Sequence, residues 1–459
     1  MITDGTRTCT YAELERACDT VDAFLTSRYV DRDACLAVVC ANTLPSVVAT
    51  LSLLTRSTGF ALCSPDQPVP PFCRYVLNTA PAVDASASAA SDRDVAHGFE
   101  LRENASWGGW NGSYRGRFYT RTSGTTASSK TVVFSHAKLW SNARNCVDRF
   151  QLSDQERVAI PVPIWHMYGL GAALLPAVLA NVSIDVQADS NVIRYLQREA
   201  EFEPTTVFLT PSFCYALTRL PRARRRYRLT IAGGDRIPPD IFARYEQAHG
   251  CLVNAYGSTE LGLVAAGSLE DPFEIRTHAI GRPMPGVHVG HGAKNSERDD
   301  GYSELWLHHP AGGDGYADER GEVIRPHDRF LDGRLKSQDV GRLGDDGRLR
   351  VAGRSDHIVK RDGRLVAFSD VEEALLKNVL LEAAVVLSDG STPRGAQLTA
   401  VCVARNRNAD VQAIREESRK HLPAYAMPDR ITLVDDIPRL ESGKPDRAAL
   451  ARFVAAVAS

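Results

Sequence analysis

The chain has 459 residues, with 54 Lys+Arg against 56 Asp+Glu for a formal net charge of -2, and is 44% hydrophobic and 24% charged. At roughly 150 residues per domain this is room for about three domains or subdomains with a sizeable core, and the near balance of charge leaves no electrostatic footprint for nucleic acid. The opening residues are polar with no secretory apolar stretch, and the longest apolar run, Met167 to Ala180, contains Pro176 and falls short of the ~20 residues that a membrane span needs.

The elements begin with an amphipathic stretch, Tyr11 to Leu25, which places Leu14, Ala17, Val21 and Leu25 on one helical face. Thr10 stands at the N-cap and Glu13 at the capping-box position. Cys35 to Cys40 is a short continuous apolar run, the pattern of a strand covered on both faces. Ser46 to Leu54 reads as helix, and the alternation predicts a parallel sheet covered by helices. Pro81 to Asp94, rich in Ala, Ser and Asp, reads as a surface connection. Further buried strands are predicted at Thr206 to Leu209 and Leu229 to Ile231. After about residue 275 the pattern turns to Asp and Gly with short alternating runs such as Glu304 to Leu307, which predicts antiparallel strands and tight turns. The last hundred or so residues read as a small α+β unit with strands at 383–387 and 398–403 and a helix from Val411 to His421. The ten cysteines include no CxxC pair and no Cys/His cluster of zinc-ligand spacing, so they read as mostly buried, reduced thiols of a cytoplasmic protein.

Four segments carry chemistry. Tyr119 to Lys130, YTRTSGTTASSK, surrounds Gly124 with hydroxyls and ends on a lysine, a composition able to wrap phosphate oxygens. It lacks the Walker A spacing, and a Ser/Thr-rich surface turn is the alternative. In Asn254 to Glu260, NAYGSTE, Tyr256 can stack on a base, Thr259 can bond a phosphate and Glu260 can hold Mg²⁺. The alternative there is a helix N-terminus capped by Ser258 or Thr259. Asp339 and Arg354, in the stretch Ser337 to Gly363, are candidates for ribose hydroxyls beside a hairpin turned at Asp345-Asp346-Gly347. Lys444 lies in a polar turn, PRLESGKPDR, where an exposed loop lysine is the plain alternative.

Together these motifs resemble the acyl-adenylating superfamily of acyl-CoA synthetases, peptide-synthetase adenylation domains and firefly luciferase. The resemblance runs in order from Tyr119 to Arg447. It implies an α/β multidomain fold: a large N-terminal domain of helix-covered sheets plus a β-rich subdomain (1–355), and a small mobile α+β C-terminal domain (356–459) hinged at Asp356. It further implies that Thr122, Ser123, Gly124, Thr125, Thr126 and Lys130 hold the ATP phosphates. Gly233, Gly234, Asn254 and Tyr256 would line the adenine, and Asp339 and Arg354 would hold the ribose. Thr259 would touch the α-phosphate and Glu260 the Mg²⁺. Lys444 would serve adenylation. His166 and Met167, with Ser212 and Gly257, would border the acid, and Gly363 would border the thiol tunnel of the second step. The loop departs from the family at Ala127, where Gly is usual, and at Ser129, where Pro is usual; Phe368 stands where Pro is frequent.

The implied reaction is ATP-dependent conversion of a carboxylic acid to acyl-AMP, with release of pyrophosphate, followed by transfer to a thiol. Amino-acid-activating relatives generally carry an Asp in the segment equivalent to Pro163–Gly169, PIWHMYG; here that segment has no acidic residue, so the acid is expected to lack an α-amino group. With no carrier domain after Arg447, the acceptor is expected in trans: CoA or a stand-alone carrier protein with its phosphopantetheine thiol. The arginines at 219, 222, 224, 225, 226 and 228 offer a surface for an acidic carrier, with a solvated face as the alternative. An amine acceptor, giving an amide, and a nucleotide-binding relative without turnover are the competing readings; no nucleic acid or membrane partner is expected.

Overall fold

The structure is a computed structural model that describes residues 1–79, 99–122, 130–188, 191–220, 225–292, 301–362, 364–406, 409–440 and 445–458. These residues form two compact units. The first holds the described residues of Met1–Thr122, Ser129–His288 and His308–Phe330; the second holds those of Val289–Leu307 and Leu331–Ser459.

Two large sheets build the first unit. One has nine strands in the order Arg282–Pro283, Gly262–Ala266, Gly250–Ser258, Tyr227–Gly233, Thr206–Leu209, Arg157–Ile160, Ser183–Val186, Ile2–Thr3 and Thr8–Cys9. From Gly250–Ser258 through Ile2–Thr3 the pairing is parallel, with antiparallel strands at both edges. The other has eight strands in the order Val323–Ile324, Gly315–Ala317, Thr131–Ser135, Arg117–Arg121, Gly59–Cys63, Cys35–Val39, Cys73–Asn78 and Glu100–Glu103. Its central strands Arg117–Arg121, Gly59–Cys63, Cys35–Val39 and Cys73–Asn78 run parallel. TVFL is a continuous apolar run because helices pack on both its faces, and CLAVV because helices cover one face and Phe72, Tyr114 and Trp110 the other, leaving no polar side to alternate with.

Helix Tyr11–Ser27 starts where the sequence predicts. Thr10 accepts from the Glu13 amide, and the Glu13 carboxylate accepts in return from the Thr10 amide. Leu14, Val21 and Leu25 are buried on its inner face. Helix Leu44–Arg56, predicted as Ser46 to Leu54, has Pro45 in its first turn and is buried nearly all round, as its apolar composition requires. All ten cysteines are free, and eight are buried. The predicted surface connection at Pro81 to Asp94 lies outside the described residues.

In the second unit, antiparallel strands Ser303–His308, Arg334–Leu343 and Leu349–Arg354 pair around the predicted turn at Asp345–Gly347. A further sheet joins Arg364–Ala367, Ile358–Arg361, Gly395–Ala404 and Leu381–Thr392, with Arg430–Leu433 parallel to Gly395–Ala404. Its core of Val371, Leu375, Leu381, Val386, Leu398 and Ile414 joins that sheet to helices Phe368–Leu376 and Val411–Ser418. The two strands are longer, and the Val411 helix shorter, than predicted. Phe368 opens its helix with the ring stacked on His357, centroids 5.7 Å apart, so packing replaces the fixed φ that proline would supply there. Among the described residues no helix is long and apolar enough to cross a membrane.

Candidate active site

Four adjacent parallel strands of the nine-stranded sheet deliver candidate residues at their carboxyl ends, the place where open α/β sheets bind ligands. Arg157–Ile160 leads into Pro163–Gly169. Thr206–Leu209 leads to Thr210, which caps helix Pro211–Thr218 and bonds Ser212 at 3.0 Å. Tyr227–Gly233 ends at Gly233 and Gly234, and Gly250–Ser258 carries Asn254, Tyr256 and Gly257. Sheet order therefore gathers segments that are up to about a hundred residues apart in sequence.

Tyr168 ties two of these ends together. Its hydroxyl donates to Ile231 O at 2.8 Å and lies 3.1 Å from Leu209 O. A β-carbon on Gly233 would come within 2.8 Å of the Tyr168 ring, so the glycine is what lets the ring lie there. The Asn254 amide donates to Arg276 O at 2.8 Å, which fixes the side chain against the segment that packs beside its strand. Tyr256 is half-buried and Gly257 exposed.

Beside Tyr168, burial pushes the His166 imidazole down to about 4, so it is neutral at pH 7. His166 Nε2 and Trp165 Nε1 are buried with no hydrogen-bond partner among the described residues. A neutral imidazole can exchange one hydrogen bond with a ligand but brings no charge to it. The Met167 methyl packs where β-carbons on Gly171 and Gly262 would stand, at 2.4 and 3.2 Å. Asn142 closes this corner, donating to Gly171 O at 2.9 Å and accepting from the Leu263 amide at 3.2 Å.

Strands Arg117–Arg121 and Thr131–Ser135 form an antiparallel hairpin that presents the hydroxyl-rich loop. Thr122 and Lys130 close its neck: the Thr122 amide donates to Lys130 O at 2.9 Å, and the Lys130 amide donates to Thr122 Oγ1 at 3.1 Å. Ser123, Gly124, Thr125, Thr126 and the departures Ala127 and Ser129 lie outside the described residues. Lys130 Nζ sits 4.9 Å above the Tyr316 ring, a cation–π contact. The Tyr316 hydroxyl donates to Glu260 Oε1 at 2.8 Å, and the Arg329 guanidinium lies 3.5 Å from the same oxygen. Tyr316 reaches this place because strand Gly315–Ala317 pairs with Thr131–Ser135, Tyr316 opposite Val132. Lys130, Tyr316, Glu260 and Arg329 are thus one connected group.

Thr259 and Glu260 stand in the turn between Gly250–Ser258 and Gly262–Ala266, which pair antiparallel. This rules out the reading of Ser258 or Thr259 as a helix cap, since a strand follows. In the second unit Asp339 and Arg354 are register partners on adjacent strands. Arg354 donates to Gln338 Oε1 at 2.9 Å and to Asp356 at 3.0 Å, so the ribose candidate and the hinge candidate are ion-paired. Gly363 and Lys444 lie outside the described residues. Of the arginine cluster, 222 and 224 lie outside them too. Arg225 pairs with Glu203, Arg226 bonds the Gln247 carbonyl and Arg228 pairs with Glu156 at 2.5 Å. These three are committed to their own unit, which favours the solvated-face alternative over a docking patch.

Sequence reasoning missed Tyr316, Arg329, Tyr168 and Asn142. Tyr168 was within the segment singled out for His166, and an aromatic beside glycines was its one signal. Tyr316 and Arg329 stand 56 and 69 residues beyond Glu260 in a Gly- and Asp-rich stretch that reads as turns.

The description "AMP-binding enzyme" matches residues 118–316, and "AMP-binding enzyme C-terminal domain" matches residues 370–444, together more than half of the chain. The chain belongs to the AMP-binding enzyme family. An isonitrile lipopeptide synthase of Streptomyces coeruleorubidus is 28% identical over 98% of the chain and 32% of that protein. The medium-chain fatty-acid–CoA ligase of Escherichia coli is 25% identical over 72% of the chain and 60% of the ligase. The chain thus spans less than two thirds of either relative. ATP-bound MatB from Rhodopseudomonas palustris has the same fold, with a TM-score of 0.82, 19% identity, and coverage of 100% of this chain and 96% of that one. The residues that this AMP-binding enzyme gathers at the strand ends fall within the first matched region.

Proposed function

We propose that this AMP-binding enzyme activates a carboxylic acid with ATP, forming acyl-AMP and pyrophosphate, and then passes the acyl group to a thiol. The observation that carries this reading is the meeting of Lys130 and Glu260 on Tyr316, which places the neck of the hydroxyl-rich loop beside the carboxylate at the sheet's carboxyl edge. A site for a triphosphate needs both features: cation and N–H donors for the phosphates, and a hard oxygen donor for their metal.

Mg²⁺ takes oxygen ligands and is commonly held by one or two carboxylates plus substrate phosphates. Glu260 fits that need, and when bound the ion supplies neutralising charge to the phosphates. Tyr316 and Arg329 hold the Glu260 carboxylate in place. The acid is already ionised at neutral pH, so its oxygen can attack the α-phosphorus without a general base. Lys130 and the loop donors offset repulsion between carboxylate and polyanion. Lys444 is assigned to the developing charge of this step, and Asp339 and Arg354 to the ribose. A hinge at Asp356 between residues 1–355 and 356–459 would exchange Lys444 for the segment around Gly363 in the second step.

Pro163–Gly169 has no acidic residue, which supports an acid without an α-ammonium. An unpaired ammonium in a buried pocket would cost several kcal/mol. The thiol is assigned to CoA or a stand-alone carrier protein, and ten free cysteines suit a reducing compartment such as the cytoplasm. The test is acid-dependent exchange of pyrophosphate into ATP across aromatic, aliphatic and amino acids, followed by CoA, carrier protein and amines offered in parallel. Exchange with deaminated acids and thioester formation support the reading. No exchange with any acid overturns it, and amide formation alone replaces the thiol acceptor by an amine.

A further inference from the structure

We infer that Cys35 and Cys73 form a covalent modification site, a dithiol that a small peroxide converts to a reversible intrachain disulfide. The two residues are register partners on adjacent parallel strands of the eight-stranded sheet, and their sulfurs are 3.4 Å apart. Neighbouring strands run about 4.8 Å apart, inside the Cα separation of about 4.4–6.8 Å that a disulfide tolerates. The register shifts directly after this pair, so that Leu36 faces Tyr75 and Arg74 is the extra residue. A bulge of this kind re-aims side chains and sharpens local twist.

The surroundings select this pair. Cys63 stands opposite Val39, four residues further along the sheet, and is not level with Cys35. Both sulfurs are buried against Phe72, Tyr114 and Tyr119. Above them opens a cavity of about 310 Å³ that Cys35 helps to line, with Asp31, Asp33, Arg74, Trp107 and Trp110 around it. Hydrogen peroxide is small enough to enter, and because both cysteines are fully covered it reaches Cys35 through a local shift of the cavity wall. Cys35 lines this cavity and Cys73 does not, so Cys35 is the sulfur an entering peroxide meets first.

The step balances. The Cys35 sulfur attacks one peroxide oxygen, the O–O bond breaks, and water leaves with a sulfenic acid on Cys35. The Cys73 sulfur then attacks that sulfur, the S–O bond breaks, and a second water leaves with the thiol proton. The two thiols lose two electrons and two protons, and one peroxide is reduced to two waters. A dithiol reductant returns the pair to two thiols by exchange, taking the disulfide onto itself.

The experiment treats the folded protein with hydrogen peroxide, denatures it without reductant, blocks remaining thiols with a maleimide and maps the peptides by mass. The expected result is a joined pair of peptides carrying Cys35 and Cys73, lighter by two hydrogens than the separate peptides. Dithiothreitol added to the folded, oxidised protein should separate them again. Recovery of both residues as maleimide adducts overturns the inference. So does an oxygen adduct on either with no cross-link, or a cross-link from either to a third cysteine. In Cys35→Ser the link should vanish and Cys73 should take maleimide; Cys146→Ser, a buried thiol elsewhere, should leave the link intact.

Discussion

Tyr316 holds Glu260 by a 2.8 Å hydrogen bond from its phenol, while the face of the same ring carries the Lys130 ammonium at 4.9 Å. One side chain therefore positions two groups of opposite charge. The phenol's own proton is held firmly, because burial and the Glu260 carboxylate push its ionisation up.

The two tasks of Tyr316 can be separated. Tyr316→Phe keeps the ring under Lys130 and removes the bond to Glu260. A hydrogen bond to a charged group contributes about 1.5–3 kcal/mol, so use of Mg·ATP should weaken roughly ten- to hundredfold. Tyr316→Leu removes both contacts and should lose more. Pyrophosphate exchange at varied ATP and Mg²⁺ gives the comparison; a phenylalanine variant equal to wild type would show that Glu260 needs no positioning.

Glu260→Gln should impair Mg·ATP use more than Tyr256→Ala impairs nucleotide binding. The first loses a charged oxygen donor, the second a stacking ring with a contribution of roughly 1–3 kcal/mol. ATP titrations identical in wild type and both variants would remove these residues from the site.

His309 makes a pH prediction with a definite sign. Its Nδ1 accepts from the Ala311 amide at 2.9 Å, so Nε2 carries the proton that is shared with Leu263 O at 3.0 Å. Burial pushes this imidazole down to about 4 from its ordinary 6.5. Between those values the unfolded chain binds the proton and the folded one does not. The contribution is therefore complete above pH 6.5 and is lost as pH falls toward 4, on the order of 3 kcal/mol in all. Urea midpoints from pH 7.5 to 4.5 should fall less steeply for His309→Gln than for wild type; parallel curves would contradict the assignment.

Lys444 should matter for one half-reaction. Its proposed charge contact exists while carboxylate and α-phosphate are joining, so Lys444→Ala should lose adenylation by on the order of 10²-fold or more. Supplied with preformed acyl-AMP, the variant should still load its acceptor near the wild-type rate. A larger side chain at Gly363 should do the reverse. Equal losses in both assays for Lys444→Ala would contradict an exchange of residues between steps.

Local rules carried much of the fold. The capping box at Thr10 and Glu13, the apolar runs of Cys35–Val39 and Thr206–Leu209, and the Asp345–Gly347 turn each depend on neighbours a few residues away, so they could be read directly. The turn at Thr259 and Glu260 could not. Ser258-Thr259-Glu260 has helix-start chemistry, yet Gly262–Ala266 returns along Gly250–Ser258, and that pairing decides the conformation. Tyr316 was hidden for the same reason. Its role depends on strand Gly315–Ala317 lying beside Thr131–Ser135, a neighbourhood set by sheet order and carrying no local signature. Arginines 225, 226 and 228 show the converse: a basic run looks like a surface for partners until its own acidic and carbonyl neighbours are located.

The contact between Gly233 and Tyr168 constrains how this site can be remodelled, by selection or by design. A side chain at position 233 needs the space that the phenol ring occupies, and removing the ring frees the carbonyls of Leu209 and Ile231 from their shared donor. Each change alone has a cost: Gly233→Ala overpacks the strand end, and Tyr168→Ala leaves a void where the ring stood. These strand ends therefore admit new shapes through paired substitutions, and a library that varies positions 168 and 233 one at a time would sample mainly the losses.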